Sequence, residues 1–125
     1  MTVAMPEAHA FKNQRVKGEP VSLLEAARAL GVSVIISASL LQSQLTKLPA
    51  AMERLIPGLQ TPAQRAIQFV RSTPGVTTAL VGMKRTAHVS ENLALAQAAL
   101  MSSEQVGQLF VRTRRSYEAR TYGTQ

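Results

Sequence analysis

Between Val81 and Asn92 the chain reads VGMKRTAHVSEN, and there two cations, an imidazole, a carboxylate and a carboxamide stand close together. Lys84 and Arg85 supply two full positive charges. His88 adds an imidazole, and Glu91 and Asn92 place a carboxylate and a carboxamide about one turn further on. Gly82 permits a close backbone approach. Cations beside the N-terminus of a helix suit an anion, and a phosphate above all, because side-chain charge and exposed amides act on the same oxygens. An acceptor and an amide one turn later have the spacing to read the edge of a base. The same spacing also describes a loop of solvated cations, with Glu91 and Asn92 on an outward helix face.

Other chemistries have less to work with. Cysteine is absent, which removes disulfides, thiolate nucleophiles and cysteine-rich zinc sites together. All seven acids are Glu, and there is no Asp. His9 has no partner at metal or triad spacing. The two tyrosines, Tyr117 and Tyr122, fall in the tail.

The elements that must position the loop follow a repeating pattern. Ser22 and Glu25 have capping-box spacing, and Leu23, Ala26, Ala27 and Leu30 follow helical periodicity. Gly31 suits the left-handed position that ends a helix. VSVIISAS (32–39) then reads as a strand buried on both faces, as in a parallel sheet covered by helices. After a short helix near 49–55 and a Pro57-Gly58 stop, Thr61-Pro62-Ala63-Gln64 starts a helix that runs to about Ser72. Pro74-Gly75 turns the chain into a second strand, TTALVG (77–82). A helix from about Ala87 to Leu100 carries Val89, Leu93, Ala96 and Leu100 on one stripe. A last helix begins after Ser102, with Ser102 and Gln105 in box spacing, and runs toward Tyr117.

Helices alternating with buried strands predict an α/β fold with a parallel sheet. Two parallel strands leave edges that need more sheet around them, so the expectation is a piece of something larger. Residues 1–21, with Pro6, Gly18 and Pro20, read as an extended leader or loop. At 125 residues, 46% hydrophobic and 17% charged, the chain is globular and fits one modest domain. No stretch has the roughly 20 apolar residues of a bilayer span, and the start lacks the pattern of a secretory signal, which leaves a cytoplasmic protein. The net charge of +7 asks for an anionic partner. The basic residues at Lys12, Arg15 and Lys17, and at Arg112, Arg114, Arg115 and Arg120, lack the stacking aromatics of a nucleic-acid site.

The segment VGMKRTAHVSENL, preceded by TPGVTTAL, resembles the cofactor loop of the aldo-keto reductases, (β/α)8 barrel enzymes that use NADPH or NADH. TPAQRAIQFVRSTPGVTTALVGM is similar to that family's seventh helix and eighth strand. VSLLEAARALGVSVIISASLLQSQL is similar to its sixth helix, seventh strand and following loop. The resemblance spans residues 20–100 and is most specific over 74–93. It implies an incomplete (β/α)8 TIM barrel: the last two βα units plus a C-terminal helix in 22–118, and a tail over 119–125. It also implies roles for single residues. Lys84 would contact the ribose 2′-phosphate with Arg85 helping, His88 would lie beside the adenine and its ribose phosphate, and Glu91 and Asn92 would bond the adenine edge. Ser39 and Leu41 would lie along the pyrophosphate, with Gly82 and Met83 completing the cofactor-binding set. Two departures stand out: Ala38 replaces the family's frequent aromatic beside the nicotinamide, and Leu41-Gln42-Ser43-Gln44 replaces a glycine-containing loop.

The family's chemistry is hydride transfer between NADP(H) and a carbonyl, assisted by a Tyr that Asp, Lys and His tune. A chain without Asp cannot assemble that tetrad. The expectation is therefore the C-terminal, NADP-binding portion of an aldo-keto reductase-like oxidoreductase. It has no catalytic residue of its own, is silent alone, and is partnered by the cofactor and by a missing barrel half or a second copy. Two other readings stay open: a basic nucleic-acid or protein-binding module, and an inactive truncated product.

Overall fold

The computed structural model describes residues 2–3, 12, 14–37, 51–109 and 111. Three short strands, β1 (Thr2–Val3), β4 (Ile35–Ser37) and β5 (Thr78–Leu80), form a parallel sheet in the order β1-β4-β5. Thr2 lies opposite Ile35, Ile35 opposite Thr78, and Ser37 opposite Leu80. Between β1 and β4 stand a hairpin of β2 (Gln14–Val16) and β3 (Glu19–Val21), and then helix α1 (Leu23–Ala29). Helices α2 (Ala51–Leu55) and α3 (Pro62–Ser72) precede β5. Helix α4 (Thr86–Ala94) follows it, continues as a 3-10 turn over Leu95–Gln97, and is succeeded by α5 at 103–109. The fold is mixed α/β with two small sheets, and the strands among the described residues close no barrel. No helix among them is long and apolar enough to cross a membrane.

Local sequence signals place the helix ends well. The Ser22 hydroxyl accepts from the Glu25 amide while the Glu25 carboxylate accepts from the Ser22 amide, so both orphan donors of α1 are satisfied. Thr61 with Gln64 and Ser102 with Gln105 repeat the arrangement at α3 and α5. At the far end of α1, Gly31 takes a φ of 66°. Its amide donates to the Arg28 carbonyl and the Val32 amide to that of Ala27, a Schellman ending.

The first 21 residues depart from the leader or loop expected of them. β1 extends the sheet beyond β4, giving three parallel strands instead of two. Residues 14–21 are an antiparallel hairpin whose central residues, Lys17 and Gly18, both have positive φ, as the favoured two-residue turn demands. Lysine is an unusual occupant of that position, so the turn carries little sequence signal. Pro20 is tolerated because β3 has only one neighbour.

The core lies on one side of the parallel sheet. Val34, Ile36, Leu24, Ala27, Phe69, Val70, Val106 and Leu109 are all buried in a single cluster drawn from the sheet, α1, α3 and α5. Strand β4 is not buried on both faces, as its apolar run implied. Ile36 is inaccessible, whereas Ile35, next to it and pointing the other way, is 38% exposed. Leu80 on β5 shares the open face and is 56% exposed. Parallel sheets are normally covered on both faces, so this face is an anomaly that the apolar sequence reflects and the described residues do not relieve.

Candidate functional site

Helix α3 is the organiser of the region around the cationic loop. Eight of its eleven residues are buried, and four of these are polar or charged: Gln64, Arg65, Gln68 and Ser72. Each is spent on the protein. Gln68 Nε2 donates to the Ala99 carbonyl at 2.5 Å, and the Ser72 hydroxyl accepts from the Met101 amide at 3.0 Å. Arg71 bonds Gln68 and the Ala98 carbonyl. Arg65 donates to the Leu59 carbonyl and pairs with Glu53 at 3.3 Å. No buried side-chain polar atom among the described residues lacks a partner. Thr61, Gln64, Gln68, Arg71 and Ser72 thus form one face of α3 at helical spacing, a polar seam that holds the chain from 91 to 101. This seam escaped the sequence reading, because glutamines and an arginine on an amphipathic helix look like a solvated face.

Helix α4 contrasts with it. None of its nine residues is buried. The stripe expected along Val89, Leu93, Ala96 and Leu100 fails, because the α-helix stops at Ala94 and Leu93 and Leu100 are 64% and 62% exposed. Leu95, in the following turn, is what packs, against Ile67. Arg85 is the N-cap residue and its side chain makes no capping bond, in contrast to the boxes of α1, α3 and α5.

The expected site residues fall into three groups. Gly82, Met83, Lys84, Arg85 and His88 are all exposed around the start of α4, and Lys84, Arg85 and His88 form no ion pair with a described residue. Glu91 and Asn92 are half-buried but part company, since adjacent helical residues do not share a face. Thr61 Oγ1 donates to Glu91 Oε1 at 2.5 Å, the short distance of a hydroxyl on a carboxylate, and Gln64 Nε2 donates to the Glu91 carbonyl at 2.8 Å. Asn92 instead lines an open groove of about 350 Å³ between α3, β5 and α4, together with Ile67, Arg71, Val81, Met83 and Val89. The Asn92 carboxamide has no hydrogen-bond partner among the described residues. Ser39 and Leu41 lie outside the described residues, as do Ala38 and the loop after it, the tail from 112 and both tyrosines.

Chemically, the first group can hold an anion on open amides and cations. The groove beside it, which Met83 helps to line, is mostly apolar, and its Asn92 carboxamide has no partner among the described residues. No group of three or more His, Cys, Asp or Glu residues among the described residues could hold a metal. The chain matches no family model, no curated protein and no solved structure.

Proposed function

We propose that this chain is the cofactor-binding, C-terminal portion of an aldo-keto reductase-like oxidoreductase, and that it grips the adenosine 2′-phosphate end of NADPH. One observation carries the reading. The uncapped start of α4, with Lys84, Arg85 and His88 unpaired among the described residues, adjoins an apolar groove in which the Asn92 carboxamide has no described partner. Lys84 and Arg85 would hold the 2′-phosphate, and Asn92 would face the purine edge. Glu91 is tied to Thr61, so its expected place at the adenine passes to Asn92 alone. The bound nicotinamide would supply the hydride in the parent reaction, reduction of a carbonyl or its reverse.

The fold supports the finer reading as part of a (β/α)8 barrel in one respect. α1 and α3 precede parallel strands and pack into a single core, so the opposite sheet face, with Ile35 and Leu80, would be left for a barrel interior. On this reading the tetrad belongs to other strands. The chain alone is then a binder without turnover, since a cofactor without a positioned acid has no route to the transition state.

Titration with NADPH, followed by cofactor fluorescence, tests this. Saturable binding is expected, and Lys84→Ala should weaken NADPH by about tenfold while changing NADH little, the loss of one charge-assisted contact. Equal losses for both cofactors, or no saturation with NADPH, would sink the proposal.

A further inference from the structure

Glu91 stands where the resemblance puts a ligand contact, yet its hydrogen bonds run the other way. Its carboxylate accepts from the Thr61 hydroxyl and its carbonyl from the Gln64 carboxamide. Both donors belong to the capping box of α3, where Thr61 Oγ1 also accepts from the Gln64 amide at 3.1 Å and Gln64 Oε1 from the Gln60 and Thr61 amides at 2.9 and 3.3 Å. One cluster therefore closes the N-terminus of α3 and clasps α4.

The clasp matters because of what α4 lacks. A helix is ordinarily seated by an apolar stripe, but α4 buries no residue, and the nearest buried anchor, Leu95, lies beyond its end. Among the described residues, the hydrogen bonds that tie α4 to another element are those two at Glu91. The exposed first turn, with Arg85 and His88, and the groove residue Asn92 both ride on that helix. The position of the anion-binding end relative to the groove is thus set from α3. The placement also points the one acidic side chain of α4 at the amide-rich start of α3, where a negative charge is favoured. It is kept from the start of its own helix, where it would oppose an anion.

We infer that Glu91 is a positioning residue, not a contact of the ligand: with Thr61 it forms a latch that holds α4 in the geometry that binds the cofactor. The inference rests on the function proposed above and corrects the role that the resemblance gives to Glu91.

A double-mutant cycle on NADPH affinity in the full chain tests it. Glu91→Ala and Thr61→Val should each weaken NADPH by about tenfold, and the double variant by no more than the worse single, as residues of one unit do. Thr61→Ser, which keeps the hydroxyl, should restore affinity. Ser22→Ala removes the equivalent cap from α1, which shares no residue with the cluster at Glu91, and should destabilise the fold comparably while leaving affinity unchanged. Losses that multiply to about a hundredfold would mean that Glu91 meets the ligand itself, and the latch is overturned while the cofactor site stands. Unchanged affinity in Thr61→Val, or an equal loss in Ser22→Ala, also overturns the latch alone. Absence of NADPH binding to the unmodified chain overturns the cofactor reading and the latch with it.

Discussion

Helices α3 and α4 flank the same strand, yet they are held in opposite ways. α3 is buried along most of its length, capped at its start by a reciprocal box, and its polar side chains are committed to neighbouring backbone. α4 has no side-chain cap, buries nothing, and among the described residues its cations and one carboxamide have no side-chain partner. The difference separates two duties. Free energy of folding resides in groups whose partners are inside the protein, whereas capacity for a ligand requires groups whose partners are not yet present. On the function proposed above, a helix that keeps an anion site open cannot also satisfy its own first turn.

The contrast can be broken at several points. The largest effect belongs to the core side of α3: Phe69 is 1% exposed, and Phe69→Ala should cost about 3–5 kcal/mol in urea denaturation, the sum of lost burial and a cavity. A loss below about 1 kcal/mol would mean that α3 is not the scaffold described. Next comes Arg85→Asp, which gives α4 the side-chain cap it lacks. It should raise stability by about 0.5–1 kcal/mol and abolish NADPH binding. Denaturation and titration on the same sample would check the pair, and a gain in stability with affinity intact would break the link between open amides and ligand. The smallest effect is expected from Leu93→Ala on α4. At 64% exposure its removal should change stability by less than about 0.5 kcal/mol, and a larger loss would show α4 to be seated by packing after all.

What could be read ahead of the structure was what depends on near neighbours in the chain. The boxes at Ser22, Thr61 and Ser102 are fixed by spacing of three residues, and the Gly31 ending by a single backbone conformation, so both were legible. The order of helix and strand from 22 to 80 followed from periodicity for the same reason. The failures share another cause. Whether Ile35 is covered depends on elements distant in sequence, and an apolar run cannot report that one face stays partly open among the described residues. Gln68, Arg71 and Ser72 gave no sign of the seam, because their partners are main-chain carbonyls and an amide, which leave no trace in residue type. Spacing and the resemblance put Glu91 with Asn92 at the adenine edge, and neither could show the hydrogen bond that ties Glu91 to Thr61, thirty residues away. The exposure of the loop cations was legible, since charged residues between a strand and a helix start go to solvent.

The seam along α3 has a consequence for how this chain can change. Beyond α4 its side chains grip main-chain atoms at Ala98, Ala99 and Met101, and every amino acid carries those atoms (proline, which lacks the amide donor, cannot serve at position 101). The gripped positions are therefore free to drift in side chain while the gripping ones are not. A library randomised over both segments would show tolerance on one side of a contact and constancy on the other. Divergent versions of this chain could change the exposed side chains from 96 to 100, Ala96 in the groove wall among them, without loosening the frame that carries them.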